Sequence, residues 1–313
     1  MKYILKKLGV LIVTLLIISM LAFLAFQIIP GDPTTKMLGT QYTPERAAAL
    51  AEELGLNENV VVRYLKWLGS FFGGDMGQSY SYSMSVKELI GDKLIITSCL
   101  SLMAFILVVI VSVPMGMALA RYKNSLADKI MTVLNQIGMS IPPFFMGMIF
   151  TFLFGLVLKL FTPGDFVSFR DSVGGFFAYL IFPAIAIAIP RIAMTVKLLR
   201  SSILTEMKED YVRTAYSRGN SRWMVLRDHV LRNAVIPVVT FLAMTLADIV
   251  AGSIIVEQVF SIPGLGRLLL SSISNRDFPV VQAIIVIIAC IVITANFLAD
   301  IACQYIDPRI RLS

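Results

Sequence analysis

Six stretches of this chain stay apolar for about as long as a helix needs to cross a lipid bilayer, and this fixes the solvent in which most of it folds. A bilayer's hydrocarbon core takes ~20 helical residues. Only helices and closed barrels can satisfy their own backbone groups there. The runs lie at 8–29, 97–120, 130–161, 176–199, 235–257 and 280–303. Hydrophobic residues make up 57% of the 313 positions and charged ones 15%, and mean hydropathy is +0.81. Soluble domains lie nearer about 45–50% and 25%. The expected fold class is all-α, a polytopic membrane protein of six transmembrane helices.

Two runs need comment. Lys2, Lys6 and Lys7 precede the first, as in a secretory signal. The stretch Leu8 to Ile29 is too long for a signal core, and no A-x-A-like cleavage site follows, so it reads as a retained membrane helix. The third run is over-long and carries Pro142-Pro143 mid-way, where a kink or break is expected.

Basic residues choose the orientation. With the N-terminus inside, the cytosolic segments 1–7, 121–129, 200–234 and 304–313, together with Lys197 at a span end, hold 16 of the 27 Lys and Arg. The external segments 30–96, 162–175 and 258–279 hold 9 in a longer total length, and Lys159 and Arg191 fall within spans. Both termini are therefore expected in the cytosol. The net charge of +7 belongs to this asymmetry and not to a nucleic-acid surface.

The domain reading is a cytosolic N-terminus and first span at 1–29, an external helical cap at 30–96, and a five-span core at 97–313. Pro30, Gly31, Asp32 and Pro33 are expected to stop the first helix. Thr43 suits an N-cap, Pro44 a first turn and Gly55 a C-terminal stop, with Leu50 and Leu54 on an apolar edge. Val60 to Phe72 reads as a second short helix, with Trp67 near an interface. Under 70 residues cannot bury a sizeable core alone. The cap is therefore expected to pack on the membrane part or on a partner.

Catalytic motifs are missing. None of the twenty glycines is followed by lysine, so no phosphate-cradling G-x-x-x-x-G-K-[ST] exists. The single histidine, His229, has no H-E-x-x-H or paired ligand around it, and no G-x-S-x-G elbow occurs. Cys99, Cys290 and Cys303 lack metal-ligand spacing and read as small apolar residues. No catalytic residue and no metal site is expected on this chain.

The loop 200–234 is long, basic and helix-patterned. Leu204, Met207, Tyr211 and Ala215 recur at helical spacing, with Glu206, Glu209, Asp210 and Arg213 facing away. Gly219 can close that helix in a left-handed conformation, and Ser221 can cap the next, which carries Arg222, Arg227 and Arg232. One use is a helix docking in a groove of a cytosolic protein. The other is an interfacial helix whose arginines meet anionic lipid head groups. Patterning alone leaves both open.

Arg213-Thr214-Ala215 followed by Gly219 resembles the EAA---G loop of ABC importer permeases. Arg213 stands where that family has glutamate, Thr214 at its first alanine, and Arg232 where the general pattern has proline. These departures resemble the peptide-transporter branch, as do IPGDP at 29–33, ELGL at 53–56, GDMGQS at 74–79, and VEQVFSIPGLGRLLL followed by RDFPVVQA. The opening motif and helical cap further resemble its B-type subunits.

The resemblance implies a type I ABC importer permease fold in the cytoplasmic membrane. It implies a second, C-type permease subunit, two cytosolic ATP-binding subunits and an external substrate-binding protein. ATP and Mg would sit on those partners, and this chain would bind no cofactor. Met207, Tyr211, Arg213, Thr214, Ala215, Gly219 and Arg222 would form the ATPase-coupling surface. Dipeptides or oligopeptides are the expected substrates, with nickel chelates or another small solute as the alternative.

Charges inside spans are costly and usually functional. Asp248 falls mid-way in the fifth span and Arg191 in the fourth, after Pro190; the two are candidate partners lining a polar path. Asp300, near the end of the sixth span, can simply reach the interface, and Arg191 can instead snorkel toward a head group. Phe260 to Arg267 is read as a re-entrant or interfacial element with turn glycines Gly264 and Gly266. Pro263, Gly264, Gly266 and Arg267 are its candidate outer-gate or binding-protein-docking residues; a plain loop is the alternative. Two other function classes compete. A secondary transporter would use Asp248 as its carboxylate but lacks a clear internal repeat, and a membrane enzyme lacks a nucleophile, base or metal set.

The orientation is directly testable. A cysteine placed at Ser221 should resist an impermeant thiol reagent in intact cells and react once the membrane is opened. Strong labelling from outside would reverse the topology.

Overall fold

The computed structural model describes residues 2–28, 34, 38–53, 55 and 57–306, and no strand occurs among them. The stop at Pro30 to Pro33, Leu54, and the C-terminal basic residues Arg309 and Arg311 lie outside the described residues, as does the side chain of Cys303. The first helices are α1 (Lys2–Ile28), α2 (Pro44–Glu53), α3 (Val60–Phe72), α4 (Val86–Arg121), α5 (Leu126–Ser140) and α6 (Pro143–Phe150). A π-helical segment, Thr151–Val157, continues α6. There follow α7 (Val173–Glu206), α8 (Asp210–Ser217) and α9 (Arg222–Met224). A second π segment, Val225–Val230, leads into α10 (Leu231–Ala234). The chain ends in α11 (Ile236–Val259), α12 (Leu265–Asn275) and α13 (Phe278–Ile306).

Five helical stretches are long and apolar enough to cross a membrane: Lys6–Ala25, Val86–Arg121, Val173–Glu206, Ile236–Val259 and Phe278–Ile301. A sixth span exists if α5 and the α6–π run count as one, bent by 103°. That bend falls at Ile141 and Pro142, where the sequence placed a break. Pro143 starts α6, where its missing N–H costs nothing. Many large apolar side chains on these helices stay exposed, among them Leu21, Ile110, Phe152 and Leu156. A surface of that kind suits lipid. The helix containing the second span begins at Val86, so residues 86–96, assigned by sequence to the cap, are continuous in helix with that span.

Contacts group the chain into two compact units, residues 1–97 with 263–293 and residues 98–262 with 294–313. In the first, α3 lies on α1. Phe23 meets Tyr64 edge-on at 5.6 Å and Trp67 at 6.0 Å between ring centroids, and Ser19 shares a 2.8 Å hydrogen bond with the Tyr64 hydroxyl. The short helix thus packs on a membrane helix, as its small size requires. Thr43 accepts from the Arg46 N–H, and Gly55 takes φ +64°, so the expected cap and stop of α2 are both present.

The core of this unit is Val86, Ile90, Leu265, Leu268, Val280, Ala283 and Ile284, from the starts of α4 and α13 and from α12. A fully buried carboxylate ties it together. Asp277 accepts hydrogen bonds from the Ser79 hydroxyl and from the Tyr80 and Ser81 N–H groups, at 3.0 and 3.2 Å for the two amides. Burial and the Asp277 charge push the Tyr80 phenol above its ordinary pKa, with Arg63 opposing.

In the second unit α7 is the central helix, packed against α5, α6 and α11. Fourteen of its residues are buried, including Leu180, Ile187, Val196, Leu199 and Ile203. Gly116 of α4 allows a close approach, because a Cβ there would lie 2.9 Å from Leu199 Cδ2. Small residues at such crossings bring helices together where lipid offers no hydrophobic drive. Beside α7, Phe161 stacks on Phe182 at 4.9 Å, and the Tyr179 hydroxyl donates to the Phe260 carbonyl at 2.7 Å.

Removing the Asp277 carboxylate leaves the Ser79 hydroxyl and two part-buried backbone N–H groups without their acceptor. Asp277→Leu should cost about 2–4 kcal/mol, read as lower thermal stability of the purified protein and faster amide exchange at Tyr80 and Ser81. Unchanged exchange at both would show that the carboxylate does not hold this turn.

Candidate functional site

The basic loop folds differently from the single helix expected through Met207 and Tyr211. Helix α7 ends at Glu206, Met207 is its C-cap, and α8 starts afresh at Asp210. The turn carries Lys208 and Glu209, and Asp210 in the first turn of α8 suits the positive end of a new helix. Val212 and Ala215, not Met207 and Tyr211, form the buried side of α8. Tyr211 is half-buried and donates to Glu206 Oε2 at 2.7 Å, joining the end of α7 to α8. Burial, then the Glu206 hydrogen bond, raises the pKa of its phenol; a hydrogen bond with Asn233 opposes. Arg213 and Thr214 are exposed, and the contact of Arg213 with Asp210 is a surface pair of little energy.

Gly219 closes α8 as the sequence indicates. Its φ is +81°, its N–H donates to the Tyr216 carbonyl at 2.9 Å, and Asn220 Nδ2 donates to the Ala215 carbonyl at 3.2 Å. Ser221 then caps α9 by accepting from the Met224 N–H. The π segment that follows was not legible. It buries Val225, Leu226 and Val230 and packs against α8, while Arg222, Arg227 and Arg232 stay exposed. Arg227 grips Asp228 through two hydrogen bonds of 2.6 and 3.0 Å, which lowers the Asp228 pKa. The Arg121 guanidinium lies 5.4 Å over the Trp223 ring, linking the end of α4 to α9. The loop is thus a small folded platform on the end of α7, exposing arginines, Trp223 and Met224.

Within the spans, Arg191 Nη1 and Asp248 Oδ2 meet at 3.0 Å, pairing the two charges that sequence reasoning singled out. Their side chains are 24% and 56% exposed. A second pair was missed. Arg200 of α7 gives Asp128 of α5 two aligned hydrogen bonds of 2.9 and 2.7 Å. Asp128 also accepts from the Asn124 N–H, and its side chain is 5% exposed. Its place at the edge of an apolar run gave no signal, and its partner is 72 residues away.

The segment 260–267 also differs from expectation. Its left-handed residue is Ser261, φ +57°, and not a glycine. Gly264 is the extended N-cap of α12, φ −93°, and Gly266 lies inside the first turn of that helix rather than in a turn between spans. Both glycines are buried and Pro263 is half-buried, while Arg267 is exposed. Thr97 Oγ1 accepts from the Leu265 N–H at 2.9 Å, anchoring the start of α12 on α4. Among the described residues no group of His, Cys, Asp or Glu could hold a metal ion.

Residues 112–312 match the family described as binding-protein-dependent transport system inner membrane component, and residues 1–85 match the N-terminal region described for such membrane components. The chain belongs to this family. It is a multi-pass inner membrane permease subunit of an ABC import system. The oligopeptide transport system permease protein AppB of Bacillus subtilis (strain 168) is 36% identical over 312 residues, 99% of each chain. The dipeptide transport system permease proteins DppB of Lactococcus lactis (strain MG1363) and of Escherichia coli (strain K12) are each 34% identical, again over 99% of both chains. The permease platform at 205–234, the Arg191–Asp248 pair and α12 all lie within the matched core.

Breaking the buried fork leaves a guanidinium and the Asn124 N–H without their acceptor. Asp128→Ala should cost the permease about 3 kcal/mol, seen as a lower unfolding temperature in detergent, and Asp128→Glu should recover part of it. Equal stability of Asp128→Ala and wild type would remove the structural role given to the fork.

Proposed function

We propose that this permease is the B-type subunit of a peptide importer. With a second, C-type permease subunit it would form the path by which dipeptides or oligopeptides cross the cytoplasmic membrane. The observation that carries the substrate class is similarity along the whole chain to permeases named for dipeptide and oligopeptide transport. An external binding protein delivers the peptide. Two ATP-binding subunits, which hold ATP and Mg, drive the cycle from the cytosol.

The orientation supported by the charge count places both termini and residues 200–234 in the cytosol. There, the platform of α8 and α9 is the docking surface for the ATP-binding subunits, through Met207, Tyr211, Arg213, Thr214, Ala215, Gly219 and Arg222. Its support is physical: a folded helix pair, closed by Gly219 and exposing arginine and aromatic side chains, stands on the end of the best-packed helix of the core. ATP-driven movement of the platform would reach the membrane through α7. Arg191 and Asp248 line the path, and Pro263, Gly264, Gly266 and Arg267, at the start of α12, face the binding-protein side.

Proline cannot adopt the φ of +81° held by Gly219. Gly219→Pro should therefore leave the protein in the membrane but lower peptide uptake and peptide-stimulated ATP hydrolysis of the assembled transporter at least tenfold. Tyr211→Ala combined with Arg213→Glu should act in the same direction. Wild-type uptake by these variants at equal expression would reduce the platform to a lipid-surface helix.

A further inference from the structure

The chain holds two Arg–Asp pairs of opposite character. Arg200 and Asp128 are joined by two aligned hydrogen bonds, and Asp128 is further fixed by the Asn124 N–H. That pair is locked. Arg191 and Asp248 meet through Nη1 and Oδ2 at 3.0 Å, and among the described residues the contact carries none of the paired hydrogen bonds that Arg200 makes. A guanidinium offers five donors and a carboxylate about four acceptor sites, so this chain itself engages little of the pair's capacity.

Its surroundings are also unusual. Asp248 sits near the middle of α11, and 56% of its side chain is open. The open side of α11 runs through Thr240, Met244, Asp248, Ala251, Ile255 and Gln258, at helical spacing with polar groups at both ends and in the centre. A mid-span carboxylate turned to lipid is strongly unfavourable. This stripe therefore faces the interior of the assembled transporter and not lipid.

We infer that Arg191 and Asp248 form a zwitterion-reading site. Asp248 takes the free ammonium of a short peptide, and Arg191 takes its free carboxylate. The inference rests on the peptide-import reading above. Pairing with a ligand of one charge would leave the other protein charge uncompensated at mid-membrane. A ligand carrying both charges replaces one ion pair by two and keeps the site neutral. The termini of an extended dipeptide lie no more than ~7 Å apart. The flexible arginine stem spans that distance by swinging from its single contact with Asp248.

The test uses the complete transporter in proteoliposomes, with its binding protein saturated in turn by dialanine, N-acetyl-dialanine and dialanine amide. Uptake ratios are compared between wild type, Asp248→Asn and Arg191→Gln. The binding protein is the same throughout, so its own selectivity cancels between variants. Loss of one charge-assisted hydrogen bond is worth about tenfold. Asp248→Asn should shrink the preference for a free amino end by about that factor and leave the carboxylate preference, and Arg191→Gln should do the reverse. Unchanged ratios, or both variants moving both ratios alike, would overturn the inference.

A second readout does not depend on uptake. Asp248→Cys, in a background with the three native cysteines replaced, should react with a water-soluble thiosulfonate and be protected by dialanine. No reaction in the assembled transporter would mean that the second permease subunit covers this face, which also overturns the inference. Failure of the wild-type assembly to move either dialanine or a longer alanine peptide would overturn the peptide reading itself, and the site with it.

Discussion

The packing of α7 is what the core of this permease depends on. Lipid tails are as apolar as leucine, so helices in a bilayer gain nothing simply by hiding apolar surface from each other. Close contact and hydrogen bonding must supply the attraction. Helix α7 has both. Gly116 lets Leu199 approach α4, buried Ala184, Ala186 and Ala188 present little bulk to its neighbours, and Arg200 grips Asp128 across to α5. The Arg191–Asp248 pair and the 205–234 platform inherit their positions from this helix.

The bilayer made the spans easy to read and the details around them hard. Hydrocarbon demands uninterrupted apolar helices, so five spans and the bent sixth follow from hydropathy and from Pro142-Pro143. Gly219, Ser221 and Thr43 were legible because capping is chemistry local to a few residues. The break at Glu206 was not, because Met207 and Tyr211 fit a continuous helical face equally well on paper. Only the burial of Val212 and Ala215 against the π segment decides the register. The π segments themselves leave no period in the sequence distinct from that of an α-helix. Ser261, and neither Gly264 nor Gly266, takes the left-handed turn, and those glycines serve the entry and first turn of α12.

Long-range partners were the other blind spot. Asp277 reaches Ser79 across 198 positions, and this contact, with the shared core of Val86, Ile90, Leu265 and Ile284, makes one unit of two distant stretches of chain. Sequence reasoning grouped residues 30–96 as a cap and 258–279 as a separate external segment with a re-entrant or interfacial element. Sequence spacing carries no record of a carboxylate that closes a turn from the far end of the chain.

Helix α7 also has a mechanical consequence. Pro190 immediately precedes Arg191, and its missing N–H removes a hydrogen bond at that point. From Arg191 to Glu206 no further proline interrupts the helix, a rod of ~22 Å at 1.5 Å per residue. Glu206 is clamped to the platform by Tyr211. The rod is thus a lever arm with its weak point beside the charged pair and its handle in the 205–234 loop. A tilt of ~10° about that fulcrum moves the handle by ~4 Å over such a length. Displacement along such an arm is smallest at Arg191 and largest at the platform, and the two-pronged Arg200–Asp128 grip, which lies along the arm, sets the stiffness of the stroke.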